Sequence, residues 1–326
     1  SAAGEMARGL AAGTLPPFCG LRVKTLSREL APRALRTLEL FVGALLDASG
    51  GRLPGGFVVT LPKIVHRAQV AALADALAAL EERHGLDEGA LRLELMVETP
   101  QSIFAPDGSV ALPALVAAAG GRCVAAHFGT YDYTASLGIT AAEQRMGHPA
   151  CDFAKSVMQV ALAGTGVWLS DGATNVLPVA PHRQPADGSP LGAAEREENR
   201  RAIHAAWRLH AADVRRSLVQ AFYQGWDLHP AQLVSRYAAL YAFFLEGLEA
   251  ASERLRNFVD KAAQATLVGE VFDDAATGQG LLNYFLRALA CGALDEAEAE
   301  RRSGLTREEL AMRSFPRILA GRLRSG

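Results

Sequence analysis

Two apolar runs of this chain each stop on a carboxylate. Leu91–Val97 ends at Glu98, and Cys123–Phe128 turns through Gly129 to present Asp132. Hard divalent cations take oxygen ligands, and Mg²⁺ commonly uses only one or two carboxylates, leaving its other positions to water and substrate oxygens. If the two runs are neighbouring parallel strands, Glu98 and Asp132 arrive together and form a magnesium site, with Mn²⁺ as the alternative ion. The competing reading is that each carboxylate pairs with a nearby arginine or caps a helix.

Other strand-like runs bring further polar groups. Arg22, towards the end of Cys19–Lys24, offers a planar fork suited to a carboxylate or phosphate, a geometry lysine cannot copy. A structural salt bridge is the alternative. Lys63 follows Pro62 after Phe57–Leu61, where an ordinary ion pair competes with a place in the site. Gly129 and Thr130 bring backbone N–H groups towards the metal as a small nest for a substrate carboxylate, or else make a tight turn. Asp171 follows Gly166–Leu169 and faces the same mouth on this reading; a turn residue is the alternative. His229 closes Gly225–Leu228 as a general base or as a structural hydrogen-bonding group. His127, inside an apolar strand, reads as an interior histidine.

These six strand-like runs alternate with segments whose apolar positions recur every three to four residues. Such segments are Ala34–Leu46, Ala68–Arg83, Leu112–Ala119 and Asp152–Leu162. Repeated alternation of strand and helix means a parallel sheet, open or closed into a barrel. No GxGxxG or GxxxxGK[ST] follows a strand, so a nucleotide-binding wound sheet lacks its signature. The expected fold is α/β, a TIM (β/α)₈-type barrel over residues 1–232, whose active-site mouth lies at the C-terminal ends of the strands. Only six strands are visible where eight are needed, so the first one or two are expected to be missing from this chain. Before Cys19 stand only a short helix, Glu5–Ala12, and a Pro-Pro turn. Residues 180–200 read as a polar surface loop leading into a helix. Residues 233–326 read as a helical lid or oligomerisation arm, with helices Ser235–Gly247, Ala250–Leu267 and Gly280–Ala290 and a loop at Val268–Gly278.

At 326 residues, half of them apolar and 21% charged, the chain can bury a large core. A net charge of −2 argues against nucleic acid or an anionic membrane as the main partner. No apolar run reaches the roughly 18 residues of a membrane span, and the first residues have no signal-peptide pattern. The four scattered cysteines form no CxxC pair, which fits a reduced, cytoplasmic protein.

Five short motifs, in order from about residue 19 to 275, resemble the HpcH/HpaI aldolase and citrate lyase β-subunit family of phosphoenolpyruvate/pyruvate-type barrels. Leu21-Arg22-Val23-Lys24 resembles its strand with a substrate arginine, and Thr60-Leu61-Pro62-Lys63-Ile64 its Leu-Pro-Lys strand end. Val97-Glu98-Thr99-Pro100 resembles its metal-binding Ile/Val-Glu-Thr. Phe128-Gly129-Thr130-Tyr131-Asp132 with Leu137-Gly138 resembles its Phe-Gly-x-x-Asp…Leu-Gly, whose aspartate is the second metal ligand. Leu228-His229-Pro230-Ala231-Gln232 resembles its His-Pro-x-Gln. The family's opening strand and its Glu-Asp motif have no counterpart ahead of Arg22, and Arg22 to Glu98 is long for the family, which marks a divergent branch.

The resemblance implies a Mg²⁺-dependent carbon–carbon lyase or aldolase acting on a 2-oxo acid or β-hydroxyacyl-CoA through a metal-stabilised enolate. Arg22 and the Gly129–Thr130 backbone would then hold the small carboxylate substrate. It also implies a catalytic acid/base at Asp273, contributed across subunits, and a homo-oligomer, trimer or hexamer. A solvated loop pair is the alternative for Asp273 and Asp274. Two other classes stay open: phosphoenolpyruvate-type phosphoryl transfer, and a non-catalytic protein that binds Mg²⁺ and a carboxylate.

Overall fold

The computed structural model describes residues 1–184, 186–267 and 275–325. The chain divides into two compact units, Ser1–Asn175 with Phe222–Leu228, and Val176–Ala221 with His229–Gly326.

The first unit runs α1 (Ala2–Ala12), β1 (Cys19–Arg22), α2 (Ala31–Ser49), β2 (Phe57–Leu61), α3 (Arg67–His84) and β3 (Arg92–Val97). It continues through α4 (Pro100–Ile103), α5 (Leu112–Ala118), β4 (Cys123–Phe128), α6 (Thr130–Ser136), α7 (Pro149–Leu162) and β5 (Trp168–Ser170). All five strands are parallel and stand in sequence order. Every residue of β2 is buried, as expected for a parallel strand covered on both faces. On α2, Leu38, Val42 and Leu45 recur at helical spacing and are fully buried in the core with Leu73 and Leu77 of α3. Burying side chains of this size contributes roughly 1.5–3 kcal/mol each.

The helix starts are written locally. His66 accepts the Ala68 N–H and Gln69 closes the capping box of α3, while the side chains of Thr99 and His148 cap α4 and α7. A buried pair ties α3 to the sheet. Glu81 takes Arg122 bidentately at 2.6 and 2.7 Å and accepts the Leu91 N–H at 2.7 Å and the Gly89 N–H at 3.1 Å. Burial raises the Glu81 carboxyl, but Arg122 and the two amides outweigh it and hold the group below its ordinary value.

The sheet is strongly curved. Laid flat, strands one and five would stand about 19 Å apart. Instead Phe18, just before β1, meets Trp168 of β5 edge to face, with ring centroids 4.8 Å apart. At the other end of β1 the Arg22 guanidinium lies over the Trp226 ring. The edges thus meet through side chains, and no strand ladder joins β1 to β5 among the described residues. The expected sixth strand, Gly225–Leu228, is reduced to a single parallel bridge between Trp226 and Ala173. It pairs where the chain is already leaving β5, with Asp171 donating to the Gln224 carbonyl and Trp226 to that of Gly172, so the ladder has no room to extend.

The second unit, among its described residues, is helical: α8 (Ala193–Val219), α9 (Gln232–Leu267), α10 (Ala275–Ala290), α11 (Glu296–Ser303), α12 (Arg307–Ala311) and α13 (Phe315–Ser325). The pieces expected as Ser235–Gly247 and Ala250–Leu267 are one helix. Gly247 costs about 1 kcal/mol of helix propensity, yet it leaves room for Tyr284, whose ring would crowd a Cβ there. Helices α8 and α9 are tied by a buried His210–Ser235 hydrogen bond of 2.8 Å and by Arg215–Glu246. The expected loop at Val268–Gly278 lies partly in α10, and its residues 268–274 are outside the described set. Among the described residues no helix is long and apolar enough to cross a membrane.

Candidate metal centre

Parallel strands deliver their C-terminal ends to one side. Arg22 is the last residue of β1, Lys63 stands two residues past β2, Glu98 one past β3, and Gly129 one past β4. Gly129 begins α6, which carries Asp132 in its first turn. The structure thus brings Arg22, Lys63, Glu98 and Asp132 into one electrostatic neighbourhood. Burial raises the Glu98 carboxyl above its ordinary value and the charge of Asp132 adds to this, while the Lys63 amide and ammonium and Arg22 pull it down.

Lys63 holds both acids. Its backbone N–H donates to Glu98 Oε1 at 2.7 Å, and its ammonium pairs with Asp132 Oδ1. It does so from the left-handed region, at φ 54°, which a residue with a Cβ adopts only at a cost. Gly129 is shaped to Glu98: a Cβ there would stand 2.5 Å from Glu98 Cβ and 2.6 Å from Oε2. Thr130 is buried and its hydroxyl has no partner among the described residues.

Two expectations need correction. The Gly129 N–H donates to the Val97 carbonyl at 3.0 Å, continuing the β3–β4 ladder, so it does not join an anion nest. Asp171 does not open to the mouth. It is buried, 2.9 Å from the Lys155 ammonium, and its other oxygen accepts the Gly172 N–H at 2.7 Å. Lys155, itself buried on α7 and over the Phe222 ring, needs that counter-charge. His229 belongs to the second unit, where its Nδ1 accepts the Ala231 N–H at 3.1 Å and its own N–H donates to Gln232. Asp273 lies outside the described residues.

The donor set suits a hard cation. Among the described residues no cluster of three or more His, Cys, Asp or Glu is placed to hold a metal. Two carboxylates are what Mg²⁺ commonly takes. Glu98 Oε2 and Asp132 Oδ2 have no hydrogen-bond partner among the described residues, and the Lys63 ammonium on Asp132 is already a cation drawn to the pair.

Behind the site lies a polar line that the sequence did not suggest. Thr60 donates to Glu94 Oε2 at 3.0 Å, and His127 Nε2 lies 3.0 Å from the same oxygen. The Trp226 indole N–H donates to His127 Nδ1 at 3.2 Å. Glu94 shares strand parity with Glu98, which could have placed it on the same face. Trp226, in a short apolar run, carried no such signal.

A family model described as Domain of unknown function (DUF6986) matches residues 1–318. The chain belongs to the DUF6986 family. Among solved structures, this DUF6986 chain is similar to a citrate lyase from Burkholderia xenovorans LB400, at 20% identity and a TM-score of 0.55, over 91% of this chain and 82% of that one. A Haloferax volcanii malate synthase in its lead(II) complex matches at 15% identity and a TM-score of 0.49, over 96% and 83%. No curated protein matches the chain. The citrate lyase likeness bears on the fold: an α/β chain with a parallel sheet, like that lyase. The malate synthase likeness is too loose to argue from.

Proposed function

We propose that this DUF6986 chain is a Mg²⁺-dependent carbon–carbon lyase or aldolase, a divergent relative of the HpcH/HpaI and citrate lyase β-subunit enzymes, acting on a 2-oxo acid or a β-hydroxyacyl-CoA thioester. The observation that carries the reading is the convergence of Arg22, Lys63, Glu98 and Asp132 from the ends of four successive parallel strands.

Glu98 and Asp132 would hold the ion through the oxygens that Lys63 leaves open. When bound, Mg²⁺ supplies Lewis-acid stabilisation of negative charge developing on a keto or thioester oxygen. Arg22, exposed at the end of β1, presents its fork to the substrate carboxylate. Lys63 keeps the two acids in register, and its ammonium offsets their charge. The acid/base is assigned to Asp273, working within a homo-oligomer.

Two cations beside two acids also suit a phosphorylated 2-oxo acid equivalent, so phosphoryl transfer is the second reading. The deciding experiment follows proton–deuterium exchange by NMR at the methyl groups of pyruvate and acetyl-CoA in D₂O, with Mg²⁺ or EDTA. Metal-dependent exchange that Asp132→Asn abolishes supports the lyase reading and names the nucleophilic partner. Absence of exchange with both, alongside release of phosphate from phosphoenolpyruvate, replaces it with the second.

A further inference from the structure

Arg22 is exposed, and nothing on its own strand fixes where its fork points. What lies beneath it is Trp226, with the guanidinium carbon 5.4 Å from the ring centroid. A guanidinium over an indole face is held by the ring quadrupole, and arginine prefers this stacking to open water. The indole is itself tethered. Its N–H can only donate, so His127 Nδ1 is the acceptor, at 3.2 Å. His127 Nε2 approaches Glu94 Oε2 to 3.0 Å without the alignment of a hydrogen bond. That Glu94 oxygen is also held by Thr60, the register partner of Arg22 on β2 being the same Thr60. Polar side chains of β2, β3 and β4 (Thr60, Glu94 and His127) thus stand in a row between the sheet position beside Arg22 and the indole beneath it.

We infer that Trp226 is the positioning residue of the carboxylate clamp, a shelf that aims the Arg22 fork at the mouth and is itself tethered by its hydrogen bond to His127. This rests on the reading of Arg22 as the substrate-binding arginine. Trp226 does not touch substrate; it acts through Arg22. An arginine held over a ring face leaves its fork free to present two parallel N–H groups, which suits planar carboxylates. Trp226 also becomes an intrinsic optical probe of that event, because an anion drawing on the guanidinium changes the charge above the indole.

The test is a double-mutant cycle read by calorimetry of pyruvate binding to the full chain in Mg²⁺. Trp226→Leu weakens pyruvate by about tenfold, the scale of a partly desolvated cation–π contact, whereas Trp226→Phe, which keeps a ring face, stays within about threefold. In the Arg22→Met background, Trp226→Leu adds nothing further. Additive losses overturn the inference, since a tryptophan that merely fills the core would weaken binding whether or not Arg22 is present. Should the wild type bind no pyruvate, the substrate assignment fails, and the shelf is then judged without ligand. In that case the Trp226 indole ¹H–¹⁵N resonance, assigned by its loss in Trp226→Phe, must move in Arg22→Met. An unmoved resonance overturns the contact itself.

Discussion

The backbone N–H of Lys63 donates to Glu98 Oε1 at 2.7 Å from a left-handed conformation, φ 54°. The carboxylate is thus aimed by a main-chain group, and the side chain is released to reach Asp132. Lys63→Gly and Lys63→Ala both remove the ammonium, but only glycine removes the conformational cost. Urea denaturation should find the glycine variant more stable than the alanine variant by about 1 kcal/mol. Equal stability would mean that Lys63 is not held at positive φ.

Gly129 tests the site from the opposite side. Its φ of −109° is open to any residue, so alanine there is excluded by space alone. Gly129→Ala should push the Glu98 carboxylate away, costing about 1–3 kcal/mol of stability by overpacking and weakening Mn²⁺ by roughly tenfold or more. Calorimetric Mn²⁺ titration beside a thermal melt separates the two effects.

Asp171 and Lys155 form a buried pair, each side chain at most 2% exposed. Removing Lys155 takes the 2.9 Å counter-charge from a buried carboxylate. Lys155→Met should therefore cost about 3–5 kcal/mol in urea denaturation, with Mn²⁺ affinity unchanged in the protein that remains folded. A loss of Mn²⁺ affinity larger than the loss of stability would return Asp171 to the site.

The Glu81–Arg122 pair sets an acid limit on stability. The folded-state pKa of Glu81 lies below its ordinary value of 4.5. Its contribution is therefore complete above that value and is lost as pH falls through the lower folded-state pKa. Glu81→Gln should be less stable at neutral pH, and its stability should fall less steeply than the wild type's from about pH 5 downwards. Parallel acid limbs for the two proteins in urea would assign that limit to other groups.

The placement of Glu98 and Asp132 just past adjacent parallel strands was legible because an apolar run that halts on a polar residue states both the element and its end. Arg22 was legible for the same reason. The ion pair expected of Lys63 is its contact with Asp132, whereas its backbone bond to Glu98 depends on a positive φ that the Pro62-Lys63 sequence does not announce. Asp171 was misplaced because a strand end tells where the backbone stops, whereas the partner that claims the side chain comes from Lys155 on another element. The five strands and the parallel order followed from alternation of apolar runs and helices. The curvature that brings Phe18 to Trp168, and Arg22 to Trp226, did not, because contacts between sheet edges leave no periodic trace.

The most direct measurement is the electron paramagnetic resonance of Mn²⁺ titrated with the full chain. The account predicts one site per chain that depletes the free-ion signal, weakened at least about tenfold in Glu98→Gln and in Asp132→Asn and retained in Arg22→Met. Mn²⁺ binding that is absent from the wild type, or equal in all four proteins, would contradict it.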